Sequence, residues 1–255
     1  MASGSTGRQR VGASAAERPL RLVALTHGAP SAENREAVMR LVDGVSSARP
    51  SGDISITFVD AAHTDVATAL AESVRDPEAV IVPLVLSAGF HVRTGLTRGI
   101  DRLAGAGATL ADPLGPDERI IDVLVDRLAP HLDDTASIVL AAAGSNDPRA
   151  VRECFETARM LAARLGRQVT VGFIAAAIPR LPDAIETVRA VHPRSTVVVS
   201  TYLLAPGAFY DAVQQVGADR VSAPLLLPRA PAPAPLVDLV LERSGVREDD
   251  WALDD

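Results

Sequence analysis

The stretch Val23-Ala-Leu-Thr-His-Gly28 decides the fold, because a related stretch, Ile138-Val-Leu-Ala-Ala-Ala-Gly144, follows 116 residues later, counted from Gly28 to Gly144. Other pairs keep the same order: Phe58-Val-Asp-Ala-Ala with Phe173-Ile-Ala-Ala-Ala, Leu86-Ser-Ala-Gly89 with Leu204-Ala-Pro-Gly207, and Pro113-Leu114 with Pro224-Leu225. Two long copies indicate a duplicated domain rather than a solenoid, whose repeats are much shorter. The chain length of 255 residues is compatible with two domains.

Strand and helix patterns alternate within the first copy. The apolar segments Leu20–Leu25 and Ile54–Val59 predict strands, and Ala32–Val45, which Ser31 can cap, has helical spacing. The continuously apolar run Ala79–Leu86 is typical of a parallel strand buried on both faces. The alternation predicts an α/β fold in which helices cover parallel sheets.

The repeat and the composition of the two ends set the predicted boundaries. A polyproline-like connector, Pro228–Pro235, is expected before a short helix, Leu236–Glu242. The predicted units are a disordered leader at 1–18, an N-terminal domain at 19–132, a C-terminal domain at 133–247 and an acidic tail at 248–255.

Composition excludes several classes of function. The net charge of -7 argues against a nucleic-acid partner, and no apolar run is long enough to predict a membrane span. All 25 basic residues are arginine, which excludes P-loop and Schiff-base lysines. The single cysteine, Cys154, has apolar helical neighbours typical of a core thiol, and it favours a reducing, cytoplasmic setting.

Three polar residues follow predicted strands of the first copy: His27, Asp60 and His91. Ligands of parallel sheets bind at the carboxyl ends of strands, so these side chains can converge on one cleft. The repeat aligns His27 with Ala143, Asp60 with Ala175, and His91 with Phe209 or, if the alignment slips by one, with a neighbour of Phe209. A purely structural role would require them in both copies, and their joint loss therefore favours a functional site in the first copy.

Two imidazoles and a carboxylate suit a divalent transition metal, and they also suit proton abstraction near neutral pH. Each residue has a structural alternative: a single histidine after a strand is often part of the fold, and Asp60 can cap the next helix. Arg35 and Arg93 follow the candidate motifs and could bind carboxylates in a bidentate manner.

These motifs together resemble the sirohydrochlorin chelatase family, the class II chelatases, in its two-repeat long form. The resemblance covers residues 20–245 and is carried by Leu25-Thr-His-Gly28, Phe58-Val-Asp60 and Val82-Pro-Leu-Val-Leu-Ser-Ala-Gly-Phe-His-Val92. It implies two Rossmann-like domains that face a central cleft. It also implies a lyase that inserts Fe²⁺ or Co²⁺ into sirohydrochlorin, on the way to sirohaem or cobalamin.

The resemblance assigns provisional roles to the candidate residues. It implies that His27 and His91 are catalytic and bind the metal, with Asp60 as a further ligand. The residues expected to contact the tetrapyrrole are Gly28, Ser87, Gly89, Arg35 and Arg93. No organic cofactor is expected, since the metal is itself a substrate. The duplication allows a monomer, because one chain supplies both halves of a dimer-like arrangement.

The sequence departs from the family pattern at Thr26, Ala29 and Thr64, at Asp60, where the pattern often has glutamate, and at Gly95, where it usually has aspartate. These departures leave open a non-catalytic protein that binds a tetrapyrrole or a metal. A phosphatase of the phosphohistidine type is disfavoured, because Thr26 occupies the place of the arginine that precedes its histidine. The sequence does not decide which metal is used.

Overall fold

We describe the fold from a computed structural model of the chain. It describes residues 19–26, 30–50, 52–60, 65–73, 79–87, 94–99 and 108–245. The predicted leader at 1–18 and the predicted acidic tail at 248–255 lie outside these ranges.

Strands and helices alternate along the described residues. The strands are β1 (Leu20–Thr26), β2 (Ile54–Asp60), β3 (Val80–Pro83), β4 (Thr109–Leu110), β5 (Ser137–Ala142), β6 (Val169–Phe173), β7 (Val197–Tyr202) and β8 (Arg220–Val221). The helices are α1 (Ala32–Ala48), α2 (Val66–Ser73), α3 (94–99), α4 (Glu118–Leu128), α5 (Pro148–Leu165), α6 (Leu181–Val191), α7 (Ala208–Gln214) and α8 (Ala234–Arg243), with a 3₁₀ turn at Ala129–His131.

The strands form two four-stranded parallel sheets with the same order, β2-β1-β3-β4 and β6-β5-β7-β8. The first sheet uses residues 20–110 and the second uses residues 137–221. The predicted fold class, two similar α/β units with parallel sheets and flanking helices, is therefore confirmed. In each sheet the strand order reverses beside the first strand, which creates a topological switch point.

The helices between the two sheets share one hydrophobic core. The inward faces of both sheets contribute to it, through residues such as Leu22 and Leu140, which are fully buried. Buried residues of α1, α4, α5 and α8 fill the space between them. The outward faces pack separately, against α2 and α3 in the first half and against α6 and α7 in the second.

The last helix of each half packs on the other half. Helix α8 contacts α1 and α4, while α4 contacts α5 and β7. Two arginines, each in the last turn of one of these helices, add hydrogen bonds between the halves. Arg127 of α4 donates to the carbonyls of Pro224 (3.2 Å) and Leu225 (2.9 Å), and Arg243 of α8 donates to the carbonyl of Pro113 (3.1 Å). The two halves therefore hold each other reciprocally.

Two predicted elements differ from the observed ones. The expected strand Ala79–Leu86 pairs only over Val80–Pro83. The N–H of Leu84 still donates to the carbonyl of Val23 at 2.8 Å, but the N–H of Val85 turns back to the carbonyl of Pro83 at 2.9 Å, so the extended ladder ends there. The expected connector Pro228–Pro235 overlaps helix α8, which begins at Ala234 with Pro235 in its first turn. Proline is tolerated there because the first-turn N–H groups have no partner within the helix.

Candidate functional site

The candidate site lies where β1 and β3 reach their carboxyl ends, on the two sides of the switch point. The register pairs Thr26, the last residue of β1, with Asp60, the last residue of β2. On the other side of β1, β3 leaves the ladder after Pro83 pairs with Val23. The connections that follow β1 and β3 leave toward opposite sides of the sheet, and a parallel sheet binds ligands in the crevice at such a switch point.

Five of the residues predicted for the site lie outside the described residues: His27, Gly28, Gly89, His91 and Arg93. Their sequence neighbours are described, since His27 follows Thr26 directly and His91 follows Ser87 by four positions. The roles predicted for these five residues stay predictions.

Asp60 and Arg35 lie beside the same end of the first sheet. Asp60 is half-buried and follows Phe58 by two positions, so the two side chains share the face of β2 that is covered by α1. Arg35, in the first turn of α1, places its guanidinium carbon 4.8 Å from the centroid of the Phe58 ring. This cation–π contact positions an exposed positive charge near the predicted metal-binding end of the sheet.

Ser87 points toward the second half of the protein. Its Oγ donates a hydrogen bond of 2.6 Å to Oε2 of Glu153 on α5. The preceding residue, Leu86, accepts a 3.2 Å hydrogen bond at its carbonyl from the hydroxyl of Tyr202 at the end of β7. The chain that leads to His91 is therefore attached to the second half at two consecutive residues.

The surroundings of these contacts are buried. Burial raises the pKa of the Tyr202 hydroxyl, so this group stays a neutral donor at physiological pH. Burial, with a smaller contribution from the charge of Glu153, raises the pKa of the Cys154 thiol to about 12. A thiol with such a pKa is a poor metal ligand near neutral pH, in agreement with the predicted core role of Cys154.

A corresponding contact joins α1 to the loop after β7. Asn34, in the first turn of α1, donates from Nδ2 to the carbonyl of Pro206 at 2.7 Å. Ser31 caps this helix as predicted, since its Oγ accepts from the backbone N–H of Asn34 at 3.1 Å. In each half, the first helix thus binds the loop that follows the third strand of the other half.

The sequence interpretation missed Glu153, Tyr202 and Asn34. For Glu153 a signal existed, because the 116-residue offset aligns it with Ala37, which is apolar and fully buried. Glu153 is thus a polar residue specific to the second copy, the reverse of the pattern at His27 and His91, and the alignment of the two copies identifies it.

The element ends also correct one alignment of the two copies. Strands β1 and β5 each end six positions before the next helix begins, which supports the alignment of His27 with Ala143. Strands β2 and β6 end at Asp60 and Phe173, so Asp60 corresponds to Phe173 rather than to Ala175 as predicted. The residue aligned with Asp60 is apolar under either alignment.

The described residues contain neither a further candidate metal site nor a candidate membrane span. No group of three or more histidine, cysteine or acidic side chains that could hold a metal ion occurs among the described residues, which exclude His27 and His91. No helix in the described ranges is long and apolar enough to cross a membrane.

Comparison with known sequences points to one family. The family model named CbiX matches residues 21–131 and 137–223. The chain is 28% identical over 143 residues to a sirohydrochlorin ferrochelatase of Priestia megaterium, and this alignment covers 53% of each chain. It is 32% identical over 73 residues to a sirohydrochlorin cobaltochelatase of Sulfurisphaera tokodaii, covering 29% of this chain and 60% of the relative. The matches thus span between half and two thirds of these curated relatives.

Solved structures agree with this assignment at the level of the fold. SirB from Bacillus subtilis, solved with Fe³⁺, superimposes with a TM-score of 0.66 at 19% identity, covering 92% of this chain and 99% of SirB. A CbiX described as the terminal enzyme of sirohaem biosynthesis in denitrifying bacteria gives a TM-score of 0.61 at 23% identity, covering 93% and 100%. With its family match over both halves and this shared architecture, the chain belongs to the CbiX family.

Proposed function

We propose that this protein inserts Fe²⁺ or Co²⁺ into sirohydrochlorin. The observation that carries the proposal is the position of His27 and His91 in a CbiX-family chain: they follow β1 and β3, the two strands that flank the switch point of the first sheet. The names of the two curated relatives, a ferrochelatase and a cobaltochelatase, support the substrate and both metals.

The reaction replaces two pyrrole protons with one divalent cation, so the site must deliver the metal and accept protons. In our proposal the neutral imidazoles of His27 and His91 ligate the incoming ion, and Asp60 adds negative charge at the end of β2. Two or three protein ligands leave coordination positions open for the pyrrole nitrogens, which a closed four-ligand site would not.

The carboxylates of sirohydrochlorin require local positive charge on this acidic protein. We propose that Arg35, which stacks on Phe58 near Asp60, binds one of these carboxylates. Arg93 is proposed in the same role, and Gly28 and Gly89 are proposed to allow close approach of the ring. We propose no organic cofactor, and we place the reaction in the reducing cytoplasm, in a protein that can act as a monomer.

The test is an anaerobic optical assay of sirohydrochlorin with Fe²⁺ or Co²⁺, with and without protein. We expect the protein to accelerate the spectral change, and we expect His27→Ala and His91→Ala to abolish the acceleration. His192→Ala is the matched control, because His192 is exposed at the end of α6. Full activity in both site variants would refute the proposal.

One observation favours the alternative of a non-catalytic tetrapyrrole- or metal-binding protein. The family pattern has an acidic residue where this chain has Gly95, and a Cβ at Gly95 would lie 2.8 Å from Cβ of Val66. This position therefore has no room for a replacement carboxylate. Tight stoichiometric binding of sirohydrochlorin without turnover would support this alternative.

A further inference from the structure

We propose that Glu153, a residue of the second half, is a positioning residue for the site of the first half. It acts through Ser87, whose hydroxyl it binds, on the chain segment that leads to His91. This inference rests on the proposed function, because it takes His91 as a metal ligand.

The geometry of the Glu153–Ser87 contact supports this role. The hydrogen bond is short, 2.6 Å between Oγ and Oε2, and both residues are half-buried. A hydrogen bond to a carboxylate is about twice as strong as one between neutral groups, and partial burial protects it from competing water. The contact joins residues 66 positions apart, so it fixes Ser87 relative to the second sheet and its helices.

A second contact acts on the same segment. The Tyr202 hydroxyl, which is fully buried, donates to the carbonyl of Leu86. Gly115 makes room for this contact, because a Cβ there would lie 2.5 Å from the Tyr202 hydroxyl and 2.6 Å from the Leu86 carbonyl oxygen. Two adjacent anchors restrain both the position and the direction of the chain at Ser87.

Ser87 then has a different role from the predicted tetrapyrrole contact. Its hydroxyl proton is used by Glu153, so the tetrapyrrole contact predicted for Ser87 has no donor available. We assign Ser87 to anchoring the segment instead. The second copy, which lacks the histidines, then contributes to the reaction by supplying the acceptor that holds the first copy's loop.

The test combines metal binding and kinetics in the full-length protein. We expect Glu153→Ala and Ser87→Ala each to weaken binding of Co²⁺ alone and to raise the KM for Co²⁺ by about tenfold, the factor that corresponds to the loss of one charge-assisted hydrogen bond. The double variant should bind Co²⁺ no more weakly than the weaker of the two single variants, because both substitutions remove the same Ser87–Glu153 hydrogen bond. Independent effects that multiply in the double variant would overturn the proposal.

Two further variants separate positioning from other roles. Glu153→Gln keeps an oxygen that accepts from Ser87, so we expect it to retain KM within about twofold. An increase in KM as large as that of Glu153→Ala would show that the charge of Glu153, rather than its hydrogen bond to Ser87, is what the site needs, and it would overturn the proposal. Glu156→Ala is the control, because Glu156 is exposed on the same helix and pairs only weakly, at 3.8 Å, with Arg159.

Hydrogen exchange distinguishes this inference from the proposed function. We expect Glu153→Ala to speed amide exchange in residues 84–87 at least fivefold, whether or not the protein is a chelatase. Faster exchange in a protein with no chelatase activity would refute the proposed function while leaving the anchor intact. Unchanged exchange and unchanged KM in an active chelatase would refute the inference alone.

Discussion

At the scale of single residues, two buried serines of the second sheet differ in their hydrogen bonds. Ser200 and Ser222 are both fully buried. The Oγ of Ser222 accepts from the backbone N–H of Thr201 at 3.0 Å, whereas the Oγ of Ser200 has no partner among the residues that the structure describes. A buried hydroxyl without a partner costs about 1–3 kcal/mol of desolvation.

We therefore expect opposite effects from the same substitution at these two positions. Ser200→Ala should raise the free energy of unfolding by about 1 kcal/mol, since it removes an unpaired polar group with little change in volume. Ser222→Ala should lower it by a similar amount, because it leaves the Thr201 N–H without its acceptor. Urea unfolding followed by circular dichroism measures both, and a stability loss in Ser200→Ala would contradict the prediction.

At the scale of elements, Gly44 allows helices α1 and α8 to pack closely. A Cβ at Gly44 would lie 2.7 Å from Cγ2 of Val237, a stiff β-branched side chain that is almost completely buried. In an unconstrained helix, replacement of glycine by alanine stabilises by about 1 kcal/mol. Here the steric conflict acts against that gain.

The sign of the effect at Gly44 should depend on Val237. In the wild-type background we expect Gly44→Ala to reduce the free energy of unfolding by about 1 kcal/mol, because overpacking outweighs helix propensity. In a Val237→Ala background the same change should be neutral or stabilising, because the opposing methyl group is gone. Equal effects in both backgrounds, measured by chemical unfolding, would show that the two helices are not packed through this pair.

Asp117 connects the last helices of the two halves through charge. It caps α4, and its carboxylate binds Arg119 at 2.8 Å and Arg243 of α8 at 3.3 Å. Burial alone would raise its pKa, but the hydrogen bonds from Arg119 and the charge of Arg243 outweigh burial and hold the pKa below its usual range. Because the folded pKa is the lower one, this carboxylate stabilises the fold above its unfolded pKa of about 4 and stops doing so as the pH falls through the folded value.

We expect Asp117→Asn to lower the free energy of unfolding by about 1–2 kcal/mol at pH 7, since asparagine keeps the helix cap but not the charge. The difference from wild type should shrink as the pH falls below about 4 and vanish once Asp117 is protonated. Asp134→Asn, at an exposed position, is the control. Thermal unfolding between pH 7 and pH 2 checks the trend, and a constant difference across that range would contradict it.

The fold of each half was predictable because it depends on local patterns. The apolar strands, the Ser31 cap and the repeat all follow from spacing and residue type. Element ends were less predictable: Pro83 ends β3 inside a continuous apolar run, and Pro235 occupies a helix although prolines surround it. Pro235 is tolerated because the first-turn N–H groups of a helix have no partner within it, whereas β3 ends where the N–H of Val85 bonds to Pro83 instead of to a neighbouring strand. Residue type alone does not encode which of these happens.

At the scale of the whole molecule, contacts between the halves escaped prediction. The Ser87–Glu153 and Asn34–Pro206 hydrogen bonds join residues separated by 66 and 172 positions. They depend on how two sheets face each other, which periodicity within one element does not encode. Sequence placed the candidate residues at strand ends, but not the second half's part in holding the loop.

The shared core predicts that the protein unfolds as one unit. Leu22 and Leu140 are fully buried and lie on different sheets of that core. We expect a single unfolding transition in urea. Leu22→Ala and Leu140→Ala should each lower the free energy of unfolding by about 2–5 kcal/mol and move the whole transition to lower urea concentration. Two separate transitions in wild type, or a variant that moves only part of the signal, would contradict this prediction.

Because helices α4 and α8 each pack on the other half, they limit which segments of this chain can be replaced by those of a relative. A crossover near residues 133–136 would transfer 19–132 as a block, yet helix α4 in that block packs on β7 and α5 of the remaining part. The incoming α4 would then meet a surface that did not evolve with it, and the retained α8 would meet a foreign α1. We therefore expect a stable chimaera to keep α4 with the second sheet and α8 with the first, so the segments that can be exchanged together are discontinuous in sequence.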